Sequence, residues 1–237
     1  MEWQSRTELL LGKERADKLQ NKHVLVAGVG GVGAYTIEML ARAGVGELTI
    51  VDADVVKPSN RNRQLIALSS TEDKLKVDIM KDRLLDINSK IKVNTFSVFL
   101  KEDTTPVVFD SAKYDYVVDA IDSLSPKVFF IRTAIQRNIP IISSMGAGGK
   151  LDPTQIKIDD ISKSYNCKLA RMVRRRLHKF NIKSGFKVVF SPEEISKDSV
   201  IFIDDERNKK TTVGTISYMP SLFGIFAASH VIRELAD

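Results

Sequence analysis

The chain has 237 residues, 43% of them apolar, which is enough for one large α/β domain or two small ones with a sizeable core. It has no run of 18 apolar residues, and "MEWQSRTELLLGKER" lacks the pattern of a signal peptide, so we expect a cytoplasmic protein without a membrane segment. The single cysteine, Cys167, excludes an intrachain disulfide and any zinc site built from CxxC pairs.

The net charge of +6 comes from one segment of the sequence. Nine Lys or Arg residues and no Asp or Glu lie between Ser162 and Pro192. Such a segment attracts the phosphate backbone of a nucleic acid, and its candidate contacts are Lys168, Arg171, Arg174, Arg175, Arg176 and Lys179. The alternative is an amphipathic helix that packs Leu169, Val173, Leu177 and Phe180 inward and leaves its cations solvated. The two interpretations are compatible, and the absence of acidic residues favours nucleic-acid binding.

Strands and helices alternate along the first 150 residues. After an N-terminal helix, "HVLVAG" predicts a strand, "AYTIEMLARAG" a helix and "ELTIVDAD" a second strand. "STEDKLKVDIMKDRLLDINS" predicts a helix and "IKVNTFSVF" a third strand. "YDYVVDAID", "PKVFFIRTAIQRN" and "IPIISSMGAGG" then predict a strand, a helix and a strand. This alternation predicts an α/β fold with a doubly wound, mostly parallel, Rossmann-like sheet.

The pattern weakens after Gly149, and we place a soft boundary near residue 150. Residues 1–150 are the predicted nucleotide-binding region, and residues 151–237 hold the basic segment and a C-terminal extension that completes the same domain. The apolar stretch "GTISYMPSLFGIFAASHVIRELAD" predicts a buried final helix.

Three glycines mark a nucleotide site. Gly28, Gly30 and Gly33 fit G-x-G-x-x-G between a strand and a helix, where glycine lets the backbone approach phosphate at a helix N-terminus. Asp52 follows 19 residues after the last glycine, where a carboxylate can hold ribose hydroxyls. NAD-dependent dehydrogenases share these features, so the glycines alone leave a dinucleotide open.

The residues after Asp52 favour ATP. Asn60 and Arg63 follow within a dozen residues, and Lys76 lies on the next helix. Cations there stabilise charge that builds on phosphoryl oxygens and on a leaving pyrophosphate. Asp122, in "DAID" at the end of the fourth strand, is the candidate Mg²⁺ ligand because ligands of open α/β sheets bind at that edge. The alternative for Arg63 and Lys76 is ordinary surface charge.

The ordered set "GVGGVG", "DADVVKPSNRNRQ", Lys76 and "DAID" resembles the ubiquitin-activating-enzyme-like adenylyltransferases of the ThiF, MoeB and HesA type. The resemblance implies that Gly30 and Gly31 approach the phosphates and that Asp52 and Asp54 hold the ribose. It further implies that Asn60, Arg63, Gln64 and Lys76 bind the nucleotide and that Asp122 binds Mg²⁺. Arg6 matches an arginine that reaches into the neighbouring subunit's active site, which implies a homodimer.

Within that superfamily, "RTELLLG", "DAIDSLSPK", "GAGGKLDPTQIKIDDISKS" and "GTISYMPSLFG" resemble the tRNA threonylcarbamoyladenosine dehydratases. The resemblance implies an ATP-dependent enzyme that cyclises the threonylcarbamoyl group on the adenosine beside the tRNA anticodon. The group's carboxylate is adenylated, and its ureido oxygen then closes the ring and expels AMP.

Three other functions stay open. An activator of a ubiquitin-like sulfur carrier commonly has paired CxxC motifs and a cysteine acceptor, which the single cysteine argues against. A regulatory module without chemistry is disfavoured by the presence of Arg63, Lys76 and Asp122. An NAD-dependent oxidoreductase is the third. The sequence also leaves open a monovalent cation near the glycines and a sulfur-transfer partner.

Overall fold

A seven-stranded sheet forms the centre of the structure, a computed structural model that describes residues 2–206 and 209–237. Its strands are β1 (His23–Ala27), β2 (Glu47–Val51), β3 (Lys92–Phe96), β4 (Tyr116–Asp119), β5 (Ile141–Ser144), β6 (Lys157–Asp160) and β7 (Lys187–Phe190). Their order is β3-β2-β1-β4-β5-β7-β6, and all neighbours are parallel except β6 and β7. The predicted α/β fold with a mostly parallel sheet is confirmed. A separate antiparallel hairpin pairs β8 (Val200–Glu206) with β9 (Lys209–Val213).

Helices cover both faces of the sheet. They are α1 (Ser5–Leu11), α2 (Lys13–Gln20), α3 (Gly33–Ala43), α4 (Lys76–Ile87), α5 (Thr104–Asp110), α6 (Leu124–Gln136), α7 (Lys168–Leu177) and α8 (Tyr218–Ala236). One apolar cluster joins α3, α4 and α8 to the sheet through residues such as Ile37, Met80 and Phe223. A second cluster joins α5, α6 and α7 to the opposite face through Phe130 and Val173, among others. Because both faces are covered, every residue of β1, β4 and β5 is buried.

The strand order reverses between β1 and β4, which are neighbours in the sheet. From β1 the chain first builds outward through β2 and β3, and then returns to build in the other direction through β4 and β5. The loops that leave the carboxyl ends of β1 and β4 therefore diverge to opposite faces, and a crevice forms between them. We call this side of the sheet the carboxyl edge.

Helix α8 packs closely along α3. A side chain at Gly224 would collide with the carbonyl oxygen of Val32, so glycine permits this approach. The hydroxyl of Thr36 donates a 3.0 Å hydrogen bond to the carbonyl of Gly224. Pro220, one turn earlier, lies against Gly31, so the two helices run in the same direction and both begin at the carboxyl edge. The buried final helix predicted from the sequence is present.

Two elements differ from the sequence prediction. Helix α4 begins at Lys76 rather than near Ser70, because Asp73 has a φ of 59°, which interrupts a helix. Helix α5 was not predicted, since the β-branched residues of "TTPVVFD" are poor helix formers; the side chain of Asp103 caps it by accepting from the amide of Thr104. Among the described residues, no helix is long and apolar enough to cross a membrane.

Candidate active site

The three predicted glycines form a tight loop at the carboxyl end of β1. Gly28 has a φ of 95°, and its amide donates a 2.8 Å hydrogen bond to the carbonyl of Val51 on β2. A Cβ atom on Gly28 would lie 2.8 Å from the carbonyl oxygen of Ala120, and one on Gly33 would collide with Gly28 itself. Only glycine fits these positions, and the turn brings the N-terminus of α3 to the carboxyl edge, where its free amides face the crevice.

Asp52 connects the second strand to the glycine loop. Its Oδ2 accepts a 2.7 Å hydrogen bond from the amide of Val29, and its Oδ1 accepts a 2.8 Å bond from the amide of Asp54. Burial raises the pKa of Asp52, while the charge of Lys76 opposes that rise. The carboxylate is therefore fixed in place before any nucleotide binds.

Lys76, at the first position of α4, points toward the same carboxylates. Its Nζ lies 2.8 Å from Oδ2 of Asp54, and its side chain is 5% exposed. The amide of Lys76 donates to the carbonyl of Asp54, so backbone and side chain both tie α4 to the end of β2. The structure thus brings Asp52, Asp54 and Lys76 together beside the glycine loop.

The segment 60–64 packs against Gly30 and Gly31 of the glycine loop. A Cβ atom on Gly31 would be 3.3 Å from the carbonyl oxygen of Arg63 and 3.5 Å from its Cγ. The Nη1 of Arg63 donates 2.9 Å hydrogen bonds to the carbonyl of Ser59 and to the side chain of Asn62. Asn60 accepts a 3.1 Å bond from the amide of Lys57, which gives it a local role in the turn.

Gln64 is the residue of this segment with an unused polar atom. It is buried, its Nε2 would lie 3.8 Å from a Cβ atom on Gly30, and its Oε1 has no hydrogen-bond partner within the described part of the chain. A buried amide oxygen without a donor is unfavourable, so the position suits a ligand that supplies one.

Asp122 does not end the fourth strand, which corrects the predicted position. Strand β4 ends at Asp119, and Asp122 is exposed in the loop before α6, where it accepts a 3.3 Å hydrogen bond from the hydroxyl of Ser123. Asp119 is instead fully buried and paired with Lys127. This pair was missed because "DAID" holds two aspartates and the sequence does not tell which is buried.

The described residues contain no cluster of three or more His, Cys, Asp or Glu side chains that could hold a metal alone. Mg²⁺ does not require one, because it keeps several waters and usually binds one or two carboxylates together with substrate phosphates. The acidic groups at this edge are compatible with a metal that arrives with a nucleotide.

Arg6 lies far from the glycine loop of its own chain. The side chain of Gln4 packs on Gly44, which follows the last turn of α3, and donates a 3.0 Å bond to the carbonyl of Arg42. Because α3 begins at the glycine loop and ends at Ala43, this places the start of α1 at the opposite edge of the sheet. The structure of one chain therefore does not bring Arg6 to the predicted site.

The basic segment contains helix α7, which lies near the carboxyl edge. Its buried face is Ala170, Val173 and Leu177, with Leu169 half-buried next to Gly146 in the loop after β5. The prediction that Phe180 packs inward is wrong. Its side chain is 43% exposed, and the guanidinium of Arg132 lies 4.3 Å from its ring centre. A stacked cation explains how the ring tolerates water.

Five of the six predicted tRNA contacts are exposed: Lys168, Arg171, Arg175, Arg176 and Lys179. Arg176 donates a 2.8 Å hydrogen bond to the hydroxyl of Ser125, three residues after Asp122. Arg174 is half-buried, and its Nη1 donates to the carbonyl of Ser164 at 2.6 Å and to the hydroxyl of the same residue. Arg174 thus holds the turn before α7.

Known proteins resemble this chain over nearly its full length. The model of the ThiF family matches residues 4–237. The tRNA threonylcarbamoyladenosine dehydratase of Bacillus subtilis is 42% identical over 238 residues, which cover 98% of this chain and 93% of that protein. The Escherichia coli tRNA N6-threonylcarbamoyladenosine dehydratase TcdA, solved in complex with ATP, superposes with a TM-score of 0.88 at 32% identity, covering 97% of this chain and 92% of that one.

A more distant match is confined to part of the chain. The yeast adenylyltransferase and sulfurtransferase UBA4 is 34% identical over 150 residues, which are 63% of this chain and 34% of that protein. The dehydratase matches extend through the basic segment and α8, as the sequence motifs led us to expect. The chain belongs to the ThiF family and, within it, to the tRNA threonylcarbamoyladenosine dehydratases.

Proposed function

We propose that this protein is an ATP-dependent dehydratase that cyclises the threonylcarbamoyl side chain of an adenosine in tRNA. The observation that carries the proposal is the match to dehydratases over 98% of the chain. The site supports it, because the glycine loop, Asp52, Lys76 and Arg63 converge at the switch point of the sheet, where nucleotides bind.

The residues at the carboxyl edge fit ATP. The amides at the start of α3 face the crevice and suit phosphate oxygens, while Asp52 suits ribose hydroxyls. The unpaired Oε1 of Gln64 can accept a hydrogen bond from the nucleotide. Lys76 beside Asp54 and Arg63 beside Gly31 are the cations that we assign to the stabilisation of phosphoryl charge.

The reaction has two steps. A carboxylate oxygen of the threonylcarbamoyl group bonds to the α-phosphorus of ATP, and the bond to the β-phosphate breaks and releases pyrophosphate. The ureido oxygen then attacks the activated carbonyl carbon, closes the ring and expels AMP, while the ureido nitrogen loses a proton. The oxygen that leaves with AMP accounts for the loss of one water, and ring closure is intramolecular and therefore favoured by proximity.

Asp122 is the residue that would hold Mg²⁺ with the nucleotide. When bound, the ion supplies positive charge that offsets the negative charge of the phosphates and of the leaving pyrophosphate. Asp122 lies in the loop whose Ala120 touches Gly28, so that loop adjoins the glycine loop. The exposure of Asp122 leaves room for the waters that Mg²⁺ keeps.

The exposed face of α7 is the proposed surface for the tRNA backbone. Arg176 ties the helix to Ser125 in the first turn of α6, close in sequence to Asp122, so phosphates bound along α7 would lie beside the nucleotide site. We assign the contacts to Lys168, Arg171, Arg175, Arg176 and Lys179, and omit Arg174 because its guanidinium bonds the turn at Ser164. Since the substrate is tRNA, we place the enzyme in the cytoplasm.

Arg6 supports a homodimer. It is exposed on α1 at the opposite edge from the site of its own chain, so it contributes to catalysis only from a second copy. Leu9 and Leu10 on the same helix are 89% and 84% exposed, and a second copy would cover them in the proposed homodimer.

Mass spectrometry of nucleosides tests the function. The protein is incubated with ATP, Mg²⁺ and tRNA that carries threonylcarbamoyladenosine, and the tRNA is then digested to nucleosides. We expect the modified adenosine to lose 18 Da, the mass of one water, with one AMP released per conversion. AMP release without a change in tRNA, but in the presence of a ubiquitin-like sulfur carrier, would support the carrier-activating alternative instead.

A further inference from the structure

A buried charged cluster lies directly beneath the loop that carries Asp122. Asp119 is the last residue of β4, Lys127 is in the first turns of α6, and Ser143 is on β5. The Nζ of Lys127 is 2.6 Å from Oδ2 of Asp119, and the hydroxyl of Ser143 donates a 2.5 Å hydrogen bond to the same oxygen. Both charged side chains are 0% exposed, so neither reaches a ligand.

A side chain of the cluster bonds the loop of residues 120–123 directly. The second carboxylate oxygen of Asp119 accepts a 3.0 Å hydrogen bond from the amide of Ile121. At the other end of the loop, the backbone amide of Lys127 donates a 3.1 Å bond to the carbonyl of Ser123, which is a bond of the first turn of α6 and does not involve the lysine side chain. Within the same loop, the backbone of Ala120 packs closely against Gly28. The side chain of Asp119 therefore ties the loop at Ile121, the residue before Asp122, and Lys127 and Ser143 hold that side chain in place.

Stability alone does not account for this cluster. Removing a carboxylate and an ammonium from water costs several kcal/mol per ion, and apolar residues of similar volume often stabilise a core equally well or better. The surroundings are apolar and include Phe130 and Ile131 on α6, so such residues would suit the position. Burial raises the pKa of Asp119, while Lys127 and Ser143 favour its ionised form, as expected for a charge held at an energetic cost.

We propose that Asp119, Lys127 and Ser143 are positioning residues that orient Asp122 for the Mg²⁺ of the nucleotide. The proposal rests on the function assigned above to Asp122. A rigid ligand loses less conformational entropy when it binds, so an anchored loop lowers the Mg²⁺ concentration that ATP binding requires. None of the three residues touches the nucleotide.

The main test replaces the cluster by apolar residues in the full chain, with the triple variant Asp119→Leu, Lys127→Met and Ser143→Ala. Hydrogen exchange is measured by mass spectrometry on peptides that cover residues 117–125, without ligand, and ATP binding is titrated calorimetrically at several Mg²⁺ concentrations. We expect exchange of that peptide to rise at least tenfold, and the half-saturating Mg²⁺ concentration to rise by about tenfold, the effect of a lost outer-shell partner.

The matched control removes an ion pair that is remote from the loop. Glu38 on α3 is buried and pairs with the partly exposed Arg83 on α4 and with Arg42, and the double variant Glu38→Leu and Arg83→Met likewise removes one carboxylate and one cation. We expect this control to leave both the exchange of residues 117–125 and the Mg²⁺ response at the wild-type level.

The single variant Ser143→Ala keeps the ion pair between Asp119 and Lys127. It replaces the triple variant in both measurements if the triple variant does not fold. Its effects should have the same direction and be smaller. A folded variant with unchanged exchange and an unchanged Mg²⁺ response would overturn the proposal and make the cluster ordinary core structure. If ATP binding by the wild type does not depend on Mg²⁺, the assigned role of Asp122 fails. The exchange measurement then still tests the cluster on its own. Unchanged exchange in the triple variant would show that the cluster does not hold the loop, and raised exchange would show that it does.

Discussion

The ammonium of Lys76 lies 2.8 Å from the carboxylate of Asp54, and the two partners differ sharply in exposure: the lysine side chain is 5% exposed and the aspartate 68%. The buried cation is held by an anion that can turn into solvent. An incoming phosphate can therefore replace the carboxylate of Asp54 as the ion-pair partner of Lys76, so the buried cation stays paired. Under the proposed function, the pair would keep the cation in place until the nucleotide binds.

Replacing Lys76 tests this role in catalysis. Lys76→Ala should lower the rate of AMP release with modified tRNA by about two to three powers of ten, the scale of one lost transition-state donor. The variant should stay folded, because Asp54 is mostly exposed and the buried Asp52 keeps its two backbone amide donors. Lys74→Ala, at an exposed lysine two residues earlier, is the control and should keep the wild-type rate. Equal rates in both variants would remove Lys76 from the mechanism.

Arg63, which lies beside Gly31, is expected to act on the same phosphates as Lys76. Arg63→Ala should lower the turnover rate by a factor on the order of 100 to 1,000, because one cation near the leaving pyrophosphate is lost. Arg63→Lys keeps the charge but not the planar fork, so it should recover only part of the rate. Steady-state kinetics with saturating ATP measure both. A lysine variant no faster than the alanine variant would show that charge at this position is not what catalysis needs.

Asp122 should make activity depend on the metal concentration. Asp122→Asn keeps the shape of the side chain and weakens its affinity for Mg²⁺, so the rate should fall at low Mg²⁺ and recover in part at high Mg²⁺. Titration of the rate with Mg²⁺ at fixed ATP is the measurement. The wild type and the variant should differ in the midpoint; superimposable titrations would argue against a metal ligand at this position.

The exposed cations of α7 should set the affinity for tRNA. The triple variant Lys168→Glu, Arg171→Glu and Arg175→Glu should weaken tRNA binding and reduce the slope of log affinity against log salt, because fewer counterions are released. ATP binding should not change. The charge-matched control, Lys90→Glu with Lys101→Glu and Lys113→Glu, reverses three exposed lysines outside the segment. Binding measured at several salt concentrations separates the two variants, and an equal loss in both would mean that only net charge matters.

Two histidines should make the fold sensitive to acid. Burial lowers the pKa of His23 and of His230 below 6.5, so the unfolded chain binds protons more readily than the folded one just below that pH. The free energy of unfolding should therefore fall as pH drops below about 6.5, the ordinary value for histidine. His230→Gln should reduce the slope by up to about 1.4 kcal/mol per pH unit. Urea titrations at pH 5 to 7 test this, and an unchanged slope would contradict it.

The sequence was informative where one residue type is required by the backbone. Gly28 and Gly33 were predicted because a turn this tight excludes a Cβ atom, and Asp52 followed from its place after the second strand. These features are local, so spacing along the chain is enough to find them. The basic segment and its helix were found for the same reason.

The rest depended on contacts between distant segments. Whether Asp119 or Asp122 is buried is decided by Lys127 on α6 and Ser143 on β5, and no spacing rule encodes that arrangement. Arg174 differs from its neighbours only because its guanidinium meets the turn at Ser164. In a run of similar cations, the one with a structural role is distinguished by the fold and not by the sequence pattern.

The contact between α3 and α8 has a consequence for the order in which the site is completed during synthesis. The glycine loop is made within the first 33 residues, but Pro220 and Gly224, which pack against it and against α3, are made almost 190 residues later. A ribosome-bound chain that lacks α8 leaves the apolar face of α3 uncovered, because Phe223 and its neighbours supply that cover. We therefore expect nascent chains to acquire affinity for ATP only once α8 has emerged from the exit tunnel.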